Sequence, residues 1–554
     1  MSCYFDVALA FLGEYGRFQI LMMVLLSLTA IPCGYMGMLS VFIADTPTHR
    51  CRTWFNSTPH DGDSFSRAGP DNCYRYKADA NRSEAVEPSN GTDRCEDGWI
   101  FSTESHTIVS EWELVCENAW KVPFSTSVFF IGVLFGSLVS GQLSDRFGRK
   151  HVLFFTISLQ SVTALIQATS VNWVMFCALN CLRGVGHVAC FVTSLVLGSE
   201  MLGESARLVY TLLGQCLCYS IGYALLPLFA YLIRSWRLLL VASAIPGLVF
   251  IFTWWVIPES PRWLLQKGRV KEAEIVICRA AKMNKIHAPD VIFKTVDASE
   301  LLQKSDEDKR VYTFMDLIRT TNLRNITGLG FFIWIAISMV YYGLSLNTSN
   351  LKGNIYLNCL VSAATDAVAY IATFVLMNRA PRHTLLCVNL MFSGLTLLVV
   401  KLVPEGLYYS IIIWLNTLDG VLVLMGKLGV SVGHSFIYFF FTELYPTVVR
   451  NTGLGVLSTS GRIGTIVCPY ILHIGIYSKV LPYIIFGSFS IIAAILSLVL
   501  PDTRNCKFPD LISEAKPIRW YVVLQCKQTH ALFPPSALQE QQNESVDPLT
   551  STLF

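Results

Sequence analysis

Charge is what this sequence has least of. Only 15% of its residues are Asp, Glu, Lys or Arg against 53% hydrophobic ones, and the mean hydropathy is +0.48. A soluble chain of 554 residues would need more charge to cover its surface, so the bilayer is its main solvent. The net charge of +3, spread through loops, gives no basis for a nucleic-acid partner. A basic n-region is missing before the first apolar stretch, Ile20 to Ala44, which follows Asp6, Glu14 and Arg17 and is too long for a signal-peptide core. It reads as a retained helix. Zinc-ligand spacing and an assembled catalytic triad are missing too, which places an enzyme last among the readings and leaves no metal site. Cys216 and Cys218 read as packing residues.

What is present is a series of apolar runs. Crossing the hydrocarbon core takes roughly 20 apolar residues, and such runs lie near 20–44, 122–143, 151–171, 173–198, 207–232 and 236–257. After a polar stretch, others lie near 326–346, 355–377, 383–402, 407–442, 452–475 and 480–501. This predicts an all-α integral membrane protein with 12 transmembrane helices in two six-helix bundles, 20–257 and 326–501, the pattern of a duplicated transporter body. The segment 407–442 exceeds one span, and Asn416 to Gly420 inside it reads as a turn, so one helix with an irregular start is expected there.

Orientation follows from Arg146, Arg149, Lys150, Arg379 and Arg382 in short loops, which the positive-inside rule puts in the cytosol. Both ends, 1–19 and 502–554, are then cytosolic, as is the loop 258–325, in which Val270 to Met283 has the spacing of an amphipathic helix. Loop 45–121 lands outside. It holds Cys51, Cys73, Cys95 and Cys116, an even set whose pairing is left open, and sequons at Asn56, Asn81 and Asn90; together they predict a disulfide-bonded, glycosylated extracellular segment.

The loop after the second helix reads Gly141-Gln-Leu-Ser-Asp145-Arg146-Phe-Gly148-Arg149-Lys150. It resembles the signature of the major facilitator superfamily. An acid and several bases at such a turn can form a charge latch that favours one conformation. The equivalent loop, Met377-Asn-Arg379-Ala-Pro-Arg382, is a degraded copy. Further strings are Pro258-Glu259-Ser-Pro-Arg262-Trp-Leu264, Glu443-Leu-Tyr-Pro-Thr-Val-Val-Arg450 and Ser110-Glu-Trp-Glu-Leu-Val-Cys116. They are similar to the organic cation, anion and zwitterion branch of the solute carriers. Leu226 to Leu240, Tyr342 to Asn347 and Tyr445 to Asn451 resemble its carnitine/organic cation subfamily, the likeness running from about Phe11 to Pro501.

The resemblance implies an alternating-access transporter of the plasma membrane for a small organic zwitterion or cation, needing no cofactor, with sodium as the co-substrate of a symporter. Arg462, in the eleventh helix, matches a place where cation-selective relatives carry aspartate and anion or carnitine carriers carry arginine. A guanidinium there suits a substrate carboxylate; an ion pair to a neighbouring helix is the structural alternative. The onium end wants aromatic faces worth roughly 0.5 to 2 kcal/mol each. Candidates are Phe436, Tyr438 and Phe440 on the tenth helix, Tyr341 and Tyr342 on the seventh, Phe191 on the fourth and Tyr219 on the fifth. Asp366 and Lys427 make each other tolerable at membrane depth as a pair that could break on closure, whereas Arg183 and His187 have no nameable partner.

In the matched places carnitine carriers have asparagines, where this chain has Cys33 and Cys190. A thiol is a poor ligand for a hard cation, so a sodium-independent uniporter or exchanger is the alternative function; a non-transporting receptor on the same fold is a distant one. His187 replaces a glutamine of the relatives and raises pH-dependent transport as a second reading beside a neutral core histidine. Gly198-Ser-Glu-Met-Leu-Gly203-Glu204-Ser205 has an acid where a nucleotide loop needs lysine, so ATP binding is discounted. The sequence ends Thr552-Leu553-Phe554, a form suited to a PDZ-domain partner. Membrane lipid is the remaining partner.

Overall fold

The computed structural model describes residues 12, 13, 15–52, 73–76, 92–95, 97–287, 314–377, 379–400, 409–446 and 448–503. Asn56, Asn81, Asn90 and Thr552 to Phe554 lie outside them.

Apolar runs become helices because a bilayer leaves no water to satisfy free backbone groups. The first half holds α1 (Arg17–Ile43), α2 (Lys121–Phe147), α3 (Arg149–Gln167), α4 (Trp173–Met201), α5 (Ala206–Leu232) and α6 (Trp236–Trp255). The second holds α7 (Thr321–Leu346), α8 (Ile355–Leu376), α9 (Arg382–Val399), α10 (Tyr409–Leu444), α11 (Arg450–Ile474) and α12 (Leu481–Ser497). Among the described residues, nine stretches are long and apolar enough to cross a membrane by length and composition. The α3 helix falls short because it opens on Arg149 and Lys150, and α11 because it carries Arg450, Arg462 and a polar face.

The turn expected at Asn416 to Gly420 is absent: α10 runs unbroken for 36 residues. A single glycine costs a helix only about 1 kcal/mol, and Asp419 there is drawn to Lys352 at 3.8 Å. Short helices Pro261–Gln266, Val270–Asn284 and Phe314–Arg319 occupy the polar stretch between the halves.

The long loop after α1 carries two small antiparallel ribbons. Strand β1 (His49–Cys51) pairs with β4 (Trp99–Phe101), and β2 (Tyr74–Tyr76) with β3 (Thr92–Arg94). Disulfides join Cys51 to Cys95 and Cys73 to Cys116. The loop is anchored on the turn between α5 and α6, where His106 N–H donates to the Arg234 carbonyl at 2.9 Å and Trp236 Nε1 to Glu111 at 2.7 Å.

Helices α1 and α5 cross at their backbones. A Cβ on Gly34 would lie 2.1 Å from the Tyr219 carbonyl oxygen, and one on Gly222 2.1 Å from that of Ile31. Small residues are what permit such close approach between membrane helices. The halves meet chiefly through α2 against α11 and α5 against α8.

Candidate substrate site

Side chains from both halves converge where α1, α4 and α5 face α7, α10 and α11. Arg462, near the middle of α11, lies within electrostatic reach of Tyr342, Tyr438 and Tyr219. Its Nε is buried with no partner. Tyr341 stacks on His434 with ring centroids 4.4 Å apart, and Tyr342 stands edge-on to both, at 5.1 Å from Tyr341 and 6.2 Å from His434. From the first half, Phe130 reaches Tyr342 at 5.2 Å, Phe129 reaches His187 at 5.4 Å, and Phe191 packs on Tyr219 at 5.9 Å. A Cβ on Gly37 of α1 would be 2.7 Å from the Tyr219 hydroxyl and 3.3 Å from His187 Nε2, so α1 floors this space closely.

Of the aromatic candidates, Tyr438, Tyr341, Tyr342, Phe191 and Tyr219 are brought to this region, and Phe436 and Phe440 are not. The latter two stack on each other at 6.1 Å and are 1% and 0% exposed, inside the second half's own core. Helical period is the reason: His434 and Tyr438 are four residues apart and share a face, while Phe436 and Phe440 occupy the opposite one. Tyr438 is 38% exposed and edge-on to Trp334 at 4.4 Å. His434 was missed from the sequence, although its four-residue spacing from Tyr438 could have found it.

Behind Tyr341 lies a dry ion pair. Lys427 Nζ is 3.1 Å from Asp366 Oδ2, both side chains 1% exposed. Asp366 also accepts from Tyr341 at 3.2 Å and Ser431 at 2.7 Å, and Lys427 donates to the Ser362 carbonyl at 3.0 Å. With these bonds made, the charges are tolerated at depth. Lys427 also lies 4.9 Å from the Tyr223 ring of the first half, and the Tyr223 hydroxyl contacts Ser345 O and Ser362 Oγ at 3.3 and 3.2 Å.

Arg183 has partners, all neutral: its guanidinium donates to Asn180 Oδ1 at 2.7 Å and to the Met36 carbonyl at 3.0 Å, and sits over Phe129 at 4.7 Å. His187 stands one turn further along α4, within electrostatic reach of Arg183 and Arg462, and its Nδ1 has no partner. Cys33 and Cys190, both buried, are brought side by side across α1 and α4, and the Cys33 thiol points at the His187 carbonyl at 3.8 Å.

At the end of the bundle away from the disulfide loop, Gly148 takes φ +102 between α2 and α3, a conformation nearly closed to other residues. A Cβ there would lie 2.5 Å from Glu259 Oε2. The bare backbone lets that carboxylate sit on the N-terminus of α3, accepting from Arg149 N–H at 2.8 Å and Lys150 N–H at 3.0 Å. Arg149 in turn reaches Asp145 at 2.8 Å and Glu200 at 3.1 Å. Trp263, next to Arg262, donates to the Asp145 carbonyl at 2.9 Å, while Arg146 lies on the Phe147 ring. The second half repeats the arrangement. Arg382 opens α9 and reaches Glu443 at 3.3 Å, Asp502 accepts the Arg382 N–H at 3.2 Å, and Arg450 donates to the Tyr445 carbonyl at 3.3 Å. A loop degraded as sequence thus keeps the arginine-to-carboxylate geometry.

Among the described residues, hydrogen bonds and ring contacts between the halves gather toward the disulfide-loop end. Phe42 stacks on Tyr356 at 5.6 Å, Tyr231 meets the same ring at 5.4 Å, and Ser127 donates to the Ile466 carbonyl at 2.8 Å. Half-buried Asp45 follows Phe42 by three residues; burial pushes its carboxyl up to about 6, the Thr46 backbone N–H opposing the rise.

Residues 71–509 match the family model described as sugar (and other) transporter. The chain is 45% identical to the human organic cation/carnitine transporter 2 over 92% of this chain and 93% of that one. It is 34% identical to a Drosophila melanogaster organic cation transporter protein over 92% and 94%. The inward-open structure of the xylose transporter XylE from E. coli superposes with a TM-score of 0.61 at 15% identity, covering 90% of this chain and 100% of that one, a likeness of fold. This chain is therefore a membrane transporter of the major facilitator fold, not an enzyme, and it belongs to the organic cation, anion and zwitterion solute carrier family.

Proposed function

We propose that the chain carries small zwitterionic or cationic organic solutes of the carnitine type across the plasma membrane by alternating access, with both termini in the cytosol. The observation that carries this reading is Arg462: a guanidinium at membrane depth, beside phenols and paired with no acid among the described residues, with its Nε unmet. A substrate carboxylate supplies the missing charge. Tyr341, Tyr342, Tyr438 and Tyr219 line the surrounding space with rings that suit an onium group. The names of the relatives support the same class. The two latches around Gly148 and Arg382 hold one end of each half and are the contacts proposed to break and re-form in the cycle. Thr552 to Phe554 would meet a PDZ-domain protein, and the three sequons would carry glycans.

Energy coupling has two readings. Sodium symport is what the resemblance implies. The adjacent thiols of Cys33 and Cys190 favour the sodium-independent alternative, since sodium takes hard oxygen ligands. The test is uptake of labelled carnitine into cells expressing the chain, with sodium present or replaced by an impermeant cation, beside Arg462→Ala and an empty control. Uptake lost with Arg462→Ala supports the anchor, and the sodium arm separates the two couplings. Surface protein with no uptake removes carnitine as the substrate.

A further inference from the structure

Two contacts fix the register of α1 against α4. The Thr29 and Ser194 hydroxyl oxygens are 2.8 Å apart, and a Cβ on Gly37 would lie 3.3 Å from His187 Nε2. Between them, a turn from each, Cys33 faces Cys190: each step forward along α1 is matched by a step of similar length back along α4, as antiparallel helices require. The Cys33 thiol also meets the His187 carbonyl at 3.8 Å. Both cysteines are buried, at 0% and 2% exposure, in an apolar cluster that includes Tyr219. Cys177 and Cys181, also on α4, are a turn apart, but the Cys177 thiol contacts Ser125 of α2 at 3.7 Å and so faces another neighbour.

Two thiols on different helices, held in register and shielded from water, are a ligand set for a soft ion. Thiolate sulfur selects monovalent copper over hard cations, and that ion, with a filled d shell, is satisfied by two ligands in a line. Zinc needs four, and among the described residues no group of three or more His, Cys, Asp or Glu side chains is placed to hold a metal. We propose that Cys33 and Cys190 form a two-thiolate binding site for monovalent copper between α1 and α4. Binding forms two copper–sulfur bonds and releases one proton from each thiol, with no change of oxidation state. The product carries one negative charge. His187, whose carbonyl meets Cys33, lies within electrostatic reach of Arg183 and Arg462, so the site stands in a positive field that stabilises such a charge.

The experiment titrates the purified, reduced full-length chain with monovalent copper held by an excess of a chromogenic chelator, at a level where a lone thiol cannot compete. The protein should withdraw one ion per chain. Cys33→Ser and Cys190→Ser, each left with one ligand, should bind more than about 100-fold more weakly. Cys177→Ser combined with Cys181→Ser should still withdraw one ion. Copper-edge X-ray absorption of the loaded wild-type protein should show two sulfur neighbours, a reading that needs no variant to fold. No withdrawal by monodisperse wild-type protein, binding that survives either single substitution, binding lost with the Cys177 and Cys181 pair, or a shell other than two sulfurs overturns the proposal. None of these outcomes bears on the solute carried.

Discussion

Tyr341 lies flat on His434, ring centroids 4.4 Å apart and planes 8° from parallel, while its hydroxyl donates to Asp366 at 3.2 Å. One side chain thus faces the candidate site and takes part in the ion-pair network behind it. Tyr341→Phe keeps the wall and removes a bond to a carboxylate worth about 1.5–3 kcal/mol, so maximal flux should fall with little change in KM. Tyr341→Ala and His434→Ala remove the wall and should raise KM. Initial uptake rates over a concentration series, normalised to surface protein, separate the two effects; identical KM for Tyr341→Phe and Tyr341→Ala would reject the wall.

Asp366→Ala leaves Lys427 charged, dry and without its counter-ion, a loss of about 3–5 kcal/mol. Surface expression should collapse. Asp366→Ala with Lys427→Ala removes both charges and should restore much of it. Surface biotinylation of the single and double variants reads this, and a double variant no better than the single one contradicts the pairing.

Gly148→Ala forces a Cβ into a backbone region that costs about 1–3 kcal/mol and pushes Glu259 off the N-terminus of α3. Glu259→Gln keeps the shape and removes the charge. Both should weaken the same latch, so their effects on transport rate should combine less than additively. A fully additive double variant would place Gly148 and Glu259 in separate roles.

Asp45 should make the contact at the disulfide-loop end sensitive to acid. Its carboxyl is raised to about 6 in this state, against about 3.9 when exposed to water. The protonated form is therefore favoured where Phe42 meets Tyr356, and that closed arrangement gains stability as pH falls through 6. Opening toward the disulfide-loop side should slow between pH 7 and pH 5, and Asp45→Asn should abolish the dependence. Uptake measured across this range, with internal pH held constant, checks the sign; acceleration by acid in wild type but not in Asp45→Asn would reverse it.

Most of the architecture was legible in the residues because a bilayer admits few solutions. Apolar runs of spanning length must be helices, their basic loops suggest an orientation, and the string from Gly141 to Lys150 carries the family. The exception, the unbroken α10 through Asn416 and Gly420, shows that local turn chemistry yields where the surrounding medium rewards helix. The site was legible only in part. Arg462 stood out because a charge at membrane depth needs a reason, and Asp366 and Lys427 stood out for the same cause. Which aromatic rings face the centre was not legible, since that depends on how each helix is rotated against its neighbours. Phe436 and Tyr438 are two residues apart on one helix and end on opposite faces. Nor could the sequence bring Cys33 to Cys190, or pair Cys51 with Cys95 and Cys73 with Cys116. Those relations are set by packing between segments distant in the chain, and no local pattern encodes such distances.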